Sequence, residues 1–307
     1  MKVNFLFPGQ GSQKVGMGRD LFDQYECAKK RFRQADEILE RSLSSIIFDG
    51  PQDKLTATEN TQPALFAVEA CITDILKEKG VEPQYAAGHS LGEYSALYAS
   101  GALSFEDGIR LVAKRGELMA RAGKENPGSM AAVIGMKKET IVEVINKVNS
   151  GTVVSANENA PAQTVISGET EAVKEACALL KEAGAKRAMP LPVSGAFHSP
   201  LMENAAQEFS EVIEPLTLNK AKCPVISNVT AEAETDENLL KSLMVKQLIS
   251  PVRWVESVNK LSEIGPQLCA ETGPGNVLKG LVTKSAPSLN VIPCGTVENI
   301  YFLLTQS

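Results

Sequence analysis

The sequence predicts a mixed α/β fold: a mostly parallel sheet with helices on both faces, interrupted by a smaller inserted α/β unit. Three observations predict it. A β-rich run, Lys2 to Phe7, passes through the turn-forming PGQGSQ into a helical-looking stretch from Gly18 to Ala35. A short apolar run, Gln84 to Ala87, enters GHSLGEYSALYAS, whose second half has helical composition, so strand and helix meet at Ser90. Between about Gly128 and Val193 the pattern changes to strand, helix, two strands, helix, strand.

Each element has its own signal. Asn60 to Lys79 carries Leu65, Val68, Ile72, Ile75 and Leu76 at helical spacing and is closed by Gly80, predicting a long, largely buried helix. In the middle region the spacing predicts a strand over Met130 to Ile134 and a helix over Lys138 to Val148. Two β-like runs follow (Thr152 to Ala156, Gln163 to Ser167), then a helix over Glu171 to Ala183 and a strand over Arg187 to Leu191. The order βαββαβ is that of a ferredoxin-like split unit. AGKENPGS before it reads as a hinge. Beyond it come a helix from Ser199 to Glu214, a β-like stretch from Pro224 to Val229 and a helix from Leu239 to Ile249. The large subdomain is therefore expected to be discontinuous, 1–125 and 197–307, with a ferredoxin-like small subdomain over 126–196.

Composition narrows the function classes. With 43% apolar and 22% charged residues, the chain is expected to fold throughout. Lys and Arg number 31 against 37 Asp and Glu, a formal charge of −6, which argues against a general nucleic-acid or anionic-membrane binder. The opening MKVNFLFPGQ is too short and too soon broken by Pro8 for a signal-peptide core, and no run approaches a membrane span, so a cytoplasmic location is expected. Six cysteines, at 27, 71, 177, 223, 269 and 294, form no CxxC pair and predict buried free thiols, with no metal site and no disulfide framework.

The strongest chemical signal is Gly88-His89-Ser90-Leu91-Gly92, a GxSxG between a predicted strand and a predicted helix. Small flanking residues suit a sharp turn that lifts the serine hydroxyl toward substrate, and the amide of Leu91 is the usual first oxyanion donor there. A serine needs a base, and the chain offers two histidines. His89 adjoins the nucleophile across the tight turn, where buttressing the turn or donating to a polar substrate group suits it. His198, in the loop GAFHSP, is the better base. No aspartate can be assigned as orienter by spacing; a backbone carbonyl or an amide side chain is the alternative. PGQGSQ alone suits an anion, yet lacks the Lys of a P-loop and the third glycine of a dinucleotide fingerprint. Arg115, in KRGEL, is equally acceptable as a solvated helix residue.

Seven motifs in order, FPGQGSQ (Phe7 to Gln13), TQPALFA (Thr61 to Ala67), GHSLGEYSAL (Gly88 to Leu97), KRGELM (Lys114 to Met119), GAFHS (Gly195 to Ser199), SNVT (Ser227 to Thr230) and QLISPVRW (Gln247 to Trp254), carry a resemblance over essentially the whole chain. The chain resembles the malonyl-CoA:acyl carrier protein transacylases and the acyltransferase domains of fatty-acid and polyketide synthases. The resemblance implies an α/β-hydrolase-like large subdomain with a ferredoxin-like small one, and a ping-pong transfer of malonyl from coenzyme A to the phosphopantetheine thiol of an acyl carrier protein in fatty-acid biosynthesis. It implies Ser90 as nucleophile and His198 as base, with the amides of Gln10 and Leu91 as the oxyanion hole and the backbone carbonyl of Gln247 orienting the histidine. It implies Arg115 as the grip on the malonyl carboxylate, a role two parallel charge-assisted bonds suit. Phe197 matches the bulky position of malonyl-selective members and, with His89, is the candidate for acyl selectivity. No metal or bound organic cofactor is implied, and a monomer is. An acidic carrier would be met by basic residues near the mouth, with Lys186, Arg187 and Lys279 as candidates.

Three rival readings share these residues. A serine hydrolase would use the same elbow and histidine if water reached the acyl-enzyme. A non-catalytic carrier-binding scaffold would not need Ser90 and His198 intact. A trans-acting polyketide acyltransferase would differ only in its carrier. Asn157 receives no role from the sequence.

Overall fold

The structure, a computed structural model, describes residues 1–306. Its first strand, β1 (Lys2–Phe7), is buried along Val3 to Phe7. It lies in the sheet between β2 (Glu82–Gly88) and a strand from the far end of the chain, and the unbroken burial of its alternating side chains shows both faces covered, which suits its nearly continuous apolar sequence. The chain then forms β3 (Gly128–Ile134), β4 (Val153–Ala160), β5 (Gln163–Glu169) and β6 (Arg187–Pro190), followed by β7 (Val225–Ile226), β8 (Ala233–Glu234), β9 (Leu268–Glu271) and β10 (Asn290–Pro293).

Two sheets result. The larger runs β10-β9-β1-β2-β7-β8 and is parallel except for the terminal β7/β8 pair. The smaller is antiparallel in the order β4-β5-β3-β6, with the helices Lys138–Ile145 and Thr170–Glu182 packed against it. That order, second-third-first-fourth along the segment, is the ferredoxin-like arrangement. β4 is also stitched to the segment after Gln247: Val252 N–H donates to Ala156 O at 2.8 Å and Glu158 N–H to Val252 O at 2.9 Å. This fixes the small sheet beside the carboxyl ends of β1 and β2, where parallel sheets place their ligand crevices.

The Thr58–Glu78 helix is buried over almost its whole length despite Pro63. Proline removes the donor that would meet the carbonyl of Glu59 four residues back, and Arg41 Nη2 occupies that acceptor at 3.1 Å. Against this helix packs a long one, Phe105–Glu125, which the sequence reading did not assign. Its start is signalled by Ser104, whose hydroxyl caps Asp107 N–H at 3.0 Å, with Glu106 and Asp107 in the first turn. Gly116 lets the two helices close: a Cβ there would stand 2.8 Å from Thr58 O.

Four predicted elements are corrected. The stretch Gly18 to Ala35 is two helices, Arg19–Gln24 and Glu26–Leu39, because Tyr25 is extended between them. The helix expected from Ser199 begins at Glu203 after a 3₁₀ turn over Pro200–Met202, which Ser199 caps. The strand expected over Pro224 to Val229 shortens to Val225–Ile226, since Asn228 turns into the interior to serve the site. The helix expected over Leu239 to Ile249 spans Glu237–Lys246 and stops where Gln247 commits its carbonyl to a side chain. The cysteines are all free; five are buried and Cys27 is half-buried. Among the described residues no helix is long and apolar enough to cross a membrane.

Candidate active site

β2 ends at Gly88, and the helix Gly92–Ala99 begins four residues later. Ser90, at the apex, has φ 52°, the left-handed region that a serine adopts only under constraint. The flanking glycines are obligatory by contact: a Cβ on Gly88 would lie 1.9 Å from Gly92 C, and one on Gly92 would lie 2.1 Å from Phe7 O. Asn228 holds the strained turn from below. Its Oδ1 accepts Ser90 N–H at 2.8 Å and its Nδ2 donates to Gly88 O at 2.7 Å.

The Ser90 hydroxyl sits 2.8 Å from His198 Nε2, and His198 Nδ1 sits 2.9 Å from the backbone carbonyl of Gln247. A carbonyl only accepts, so Nδ1 carries the proton and Nε2 is left as acceptor for the serine O–H. Burial, and then the charge of Arg115, push the imidazole pKa down to about 3, which keeps it a neutral base. Arg115, 1% exposed, reaches the same point from the long helix. Its Nη2 donates to Ser90 Oγ at 3.2 Å and to Gln247 Oε1 at 2.9 Å, and its Nη1 donates to Gln62 Oε1 at 2.7 Å. The plane lies over the Tyr94 ring, 5.1 Å from its centroid. Nε is buried without a hydrogen-bond partner among the described residues.

A profile described as an acyl transferase domain matches residues 4–297. The chain belongs to the acyl transferase family. It is 49% identical over 301 residues to the malonyl CoA-acyl carrier protein transacylase of Bacillus subtilis (97% of this chain, 95% of that one). It is 44% identical to the enzyme of the same name from Haemophilus influenzae (97% and 96%). Among solved structures, an acyl carrier protein S-malonyltransferase from Vibrio cholerae superposes with TM-score 0.95 at 42% identity over 99% of this chain and 100% of that one. A malonyl-transacylase in complex with its type II polyketide-synthase acyl-carrier protein superposes with TM-score 0.97 at 38% identity, both chains fully covered.

In this acyltransferase, Ser90, His198, Gln10, Leu91, Arg115, Phe197 and His89 all line one cavity of about 170 Å³, and Gln247 lies buried behind it. The backbone N–H groups of Gln10 and Leu91 have no acceptor among the described residues. Gln10 is carried by the loop after β1, which a Cβ on Gly9 would push off His89 O (2.4 Å). His89 turns away from the nucleophile, with Nε2 2.7 Å from Asn159 Oδ1 and its ring edge-on to Trp254. Met119, Met130, Val165, Leu191 and Val193 form the apolar part of the cavity wall. A larger surface depression of about 750 Å³, between Leu39, Arg110 and Leu216, holds no nucleophile and is not the chemical centre. Lys186, Arg187 and Lys279 are exposed and outside the cavity wall.

Sequence reasoning did not single out Asn228, Gln62, Asn159 or Glu93 as site residues. The first, second and fourth lie within the quoted motifs SNVT, TQPALFA and GHSLGEYSAL, but amides and a carboxylate whose partners are dozens of residues away leave no local spacing to read. Asn157 lines the cavity from β4, next to the bridge at Val252.

Proposed function

We propose that this acyltransferase moves the malonyl group from malonyl-CoA to the phosphopantetheine thiol of an acyl carrier protein in fatty-acid biosynthesis, by a ping-pong cycle through malonyl-Ser90. The observation that carries the reading is a buried guanidinium in the same cavity as the Ser90–His198 pair, which suits an acyl group bearing its own carboxylate. His198 Nε2 takes the Ser90 proton as Oγ attacks the thioester carbonyl. The oxyanion rests on the Gln10 and Leu91 amides, and the C–S bond breaks as the imidazolium returns its proton to the coenzyme A thiolate. The carrier thiol then gives its proton to His198, attacks the ester carbonyl and releases Ser90 as the hydroxyl. Gln247 serves by its carbonyl, so the dyad needs no acidic third member. The cycle calls for no metal or bound organic cofactor; coenzyme A enters as thioester and leaves as thiol.

Arg115 selects the dicarboxylic acyl group, because an acetyl group would leave the buried cation unpaired. Phe197, 5% exposed against the cavity, disfavours an α-methyl substituent, an effect of roughly 1–3 kcal/mol. The names of the relatives support the malonyl and carrier assignments. The test is to incubate the enzyme with malonyl-CoA and a phosphopantetheinylated carrier and to follow carrier loading against release of free malonate. Loading faster than release supports a transferase; malonate released with the carrier unloaded would make it a hydrolase. Running fatty-acid and type II polyketide carriers side by side decides which carrier it serves.

A further inference from the structure

Glu93 is 1% exposed, in the first turn of the helix that follows the nucleophile. One of its oxygens, Oε2, accepts the backbone N–H of Asn228 at 2.9 Å and Gln247 Nε2 at 2.9 Å. Gln247 Nε2 also donates to Ser90 O at 3.0 Å, and Gln247 Oε1 accepts from Arg115. This fixes which way the Gln247 amide points. Turned over, it would set its oxygen against a carboxylate and its NH₂ against a guanidinium, two repulsive contacts in place of two attractive ones. Arg115 itself makes no direct ion pair among the described residues; it donates to Gln62, Gln247 and Ser90 and lies against Tyr94. A buried cation without a counter-charge is strongly unfavourable, and Glu93 is the carboxylate whose charge acts on it.

We propose that Glu93 is a positioning residue: it is the counter-charge of Arg115 in the unloaded enzyme, acting through the Gln247 amide, and thereby sets how tightly the site holds an acyl carboxylate and how firmly His198 is placed. The inference rests on the reading that Arg115 grips the malonyl carboxylate. Gln247 is the joint: its side chain links Glu93 to Arg115, while its carbonyl holds His198 Nδ1. An incoming malonyl carboxylate therefore competes with Glu93 for the same cation. Removing the Glu93 charge strengthens the grip on malonyl and at the same time weakens the stabilisation of the imidazolium formed during attack.

Burial lifts the Glu93 carboxyl to about 7, with the Asn228 and Gln247 hydrogen bonds and the charge of Arg115 pulling the other way. The titratable groups around it are Arg115 on the Phe105–Glu125 helix, Tyr94 on its own helix and His198 beyond Gln247. Glu69 on the Thr58–Glu78 helix is turned to Ser95. Asn228 and Gln247 bring no charge.

The experiment compares wild type with Glu93→Gln and Glu93→Ala in single-turnover acylation by malonyl-CoA and acetyl-CoA at pH 8 and pH 6, read by intact-protein mass. Glu93→Gln keeps an acceptor but no charge. At pH 8 its KM for malonyl-CoA is expected to fall roughly three- to tenfold and its acylation rate to fall by a similar factor, the scale of about one pKa unit of charge interaction. Its KM for acetyl-CoA is expected to stay put. Glu93→Ala also loses the acceptor, and its acylation rate is expected to fall further than that of Glu93→Gln. Wild type needs no variant to be informative: its malonyl-CoA KM, relative to acetyl-CoA, is expected to rise between pH 6 and pH 8 as Glu93 ionises. A Glu93→Gln enzyme with unchanged or raised malonyl-CoA KM at pH 8, or a wild-type KM ratio flat with pH, overturns the inference while leaving the malonyl reading intact. A wild-type enzyme that takes no malonyl adduct overturns both.

Discussion

His198 Nδ1 meets the main-chain carbonyl of Gln247 at 2.9 Å, at the place where a Ser-His-Asp triad would put a carboxylate. A carbonyl fixes the tautomer as an aspartate does but brings no full negative charge, and Arg115 stands close enough to act against protonation. The base is thus tuned to stay neutral, and that has consequences for pH.

In Glu93→Gln, where that carboxyl no longer titrates, the acylation rate by malonyl-CoA should show no inflection near 6.5, the ordinary histidine value, and should hold on the acid side until the protein itself fails. Stability carries the same signature. A His pKa lowered to about 3 means that between 3 and 6.5 the unfolded chain binds the proton and the native one does not, so stability falls as pH drops below 6.5. His198→Gln should therefore lose less melting temperature between pH 6.5 and pH 5 than wild type, by an amount corresponding to ~2 kcal/mol. An acid-side rate inflection at 6.5 in Glu93→Gln would show a base that burial does not shift.

Arg115→Ala should separate the two acyl groups. Loss of two charge-assisted bonds, each ~1.5–3 kcal/mol, should lower kcat/KM for malonyl-CoA at least ~100-fold and change that for acetyl-CoA far less. Equal losses with both thioesters would mean that Arg115 acts through Ser90 and Gln247 alone.

Asn228→Ala should weaken the elbow without touching substrate. The variant leaves Ser90 N–H and Gly88 O unpaired in the interior, at ~1–3 kcal/mol for each group, and frees a serine held at φ 52°. Chemical denaturation should show the lost stability, and kcat should fall with little change in KM.

Two glycines should respond in opposite directions. Gly92→Ala has no room, since its Cβ would meet the Phe7 backbone, and should abolish activity and lower the melting temperature sharply. Gly280→Ala, inside the Val277–Ser285 helix with nothing within 4 Å, should raise stability by ~0.5–1 kcal/mol. Thermal melts of the two variants check both.

Much of this was legible because the decisive signals are local. The elbow is written in five consecutive residues, with Gly88 forced by contacts within the turn and Gly92 by the end of β1, and the βαββαβ order announces the small sheet through alternation in short strands. The helix bearing Arg115 was missed although Ser104 and Asp107 mark its start. Its glycines at 108, 116 and 123 weaken the helical signal, and they are needed only because other segments press against it. Asn228, Gln62 and Glu93 were illegible in role because each acts through a partner more than fifty residues distant, and a side chain's partner is settled by packing.

The most direct measurement is intact-protein mass spectrometry of wild type and Ser90→Ala after brief exposure to malonyl-CoA, acetyl-CoA or methylmalonyl-CoA, before and after a phosphopantetheinylated carrier is added. The expected result is a malonyl adduct on wild type alone, absent from Ser90→Ala and discharged onto the carrier thiol. An adduct that persists in Ser90→Ala, or one lost to water while the carrier stays unloaded, would contradict transfer through malonyl-Ser90.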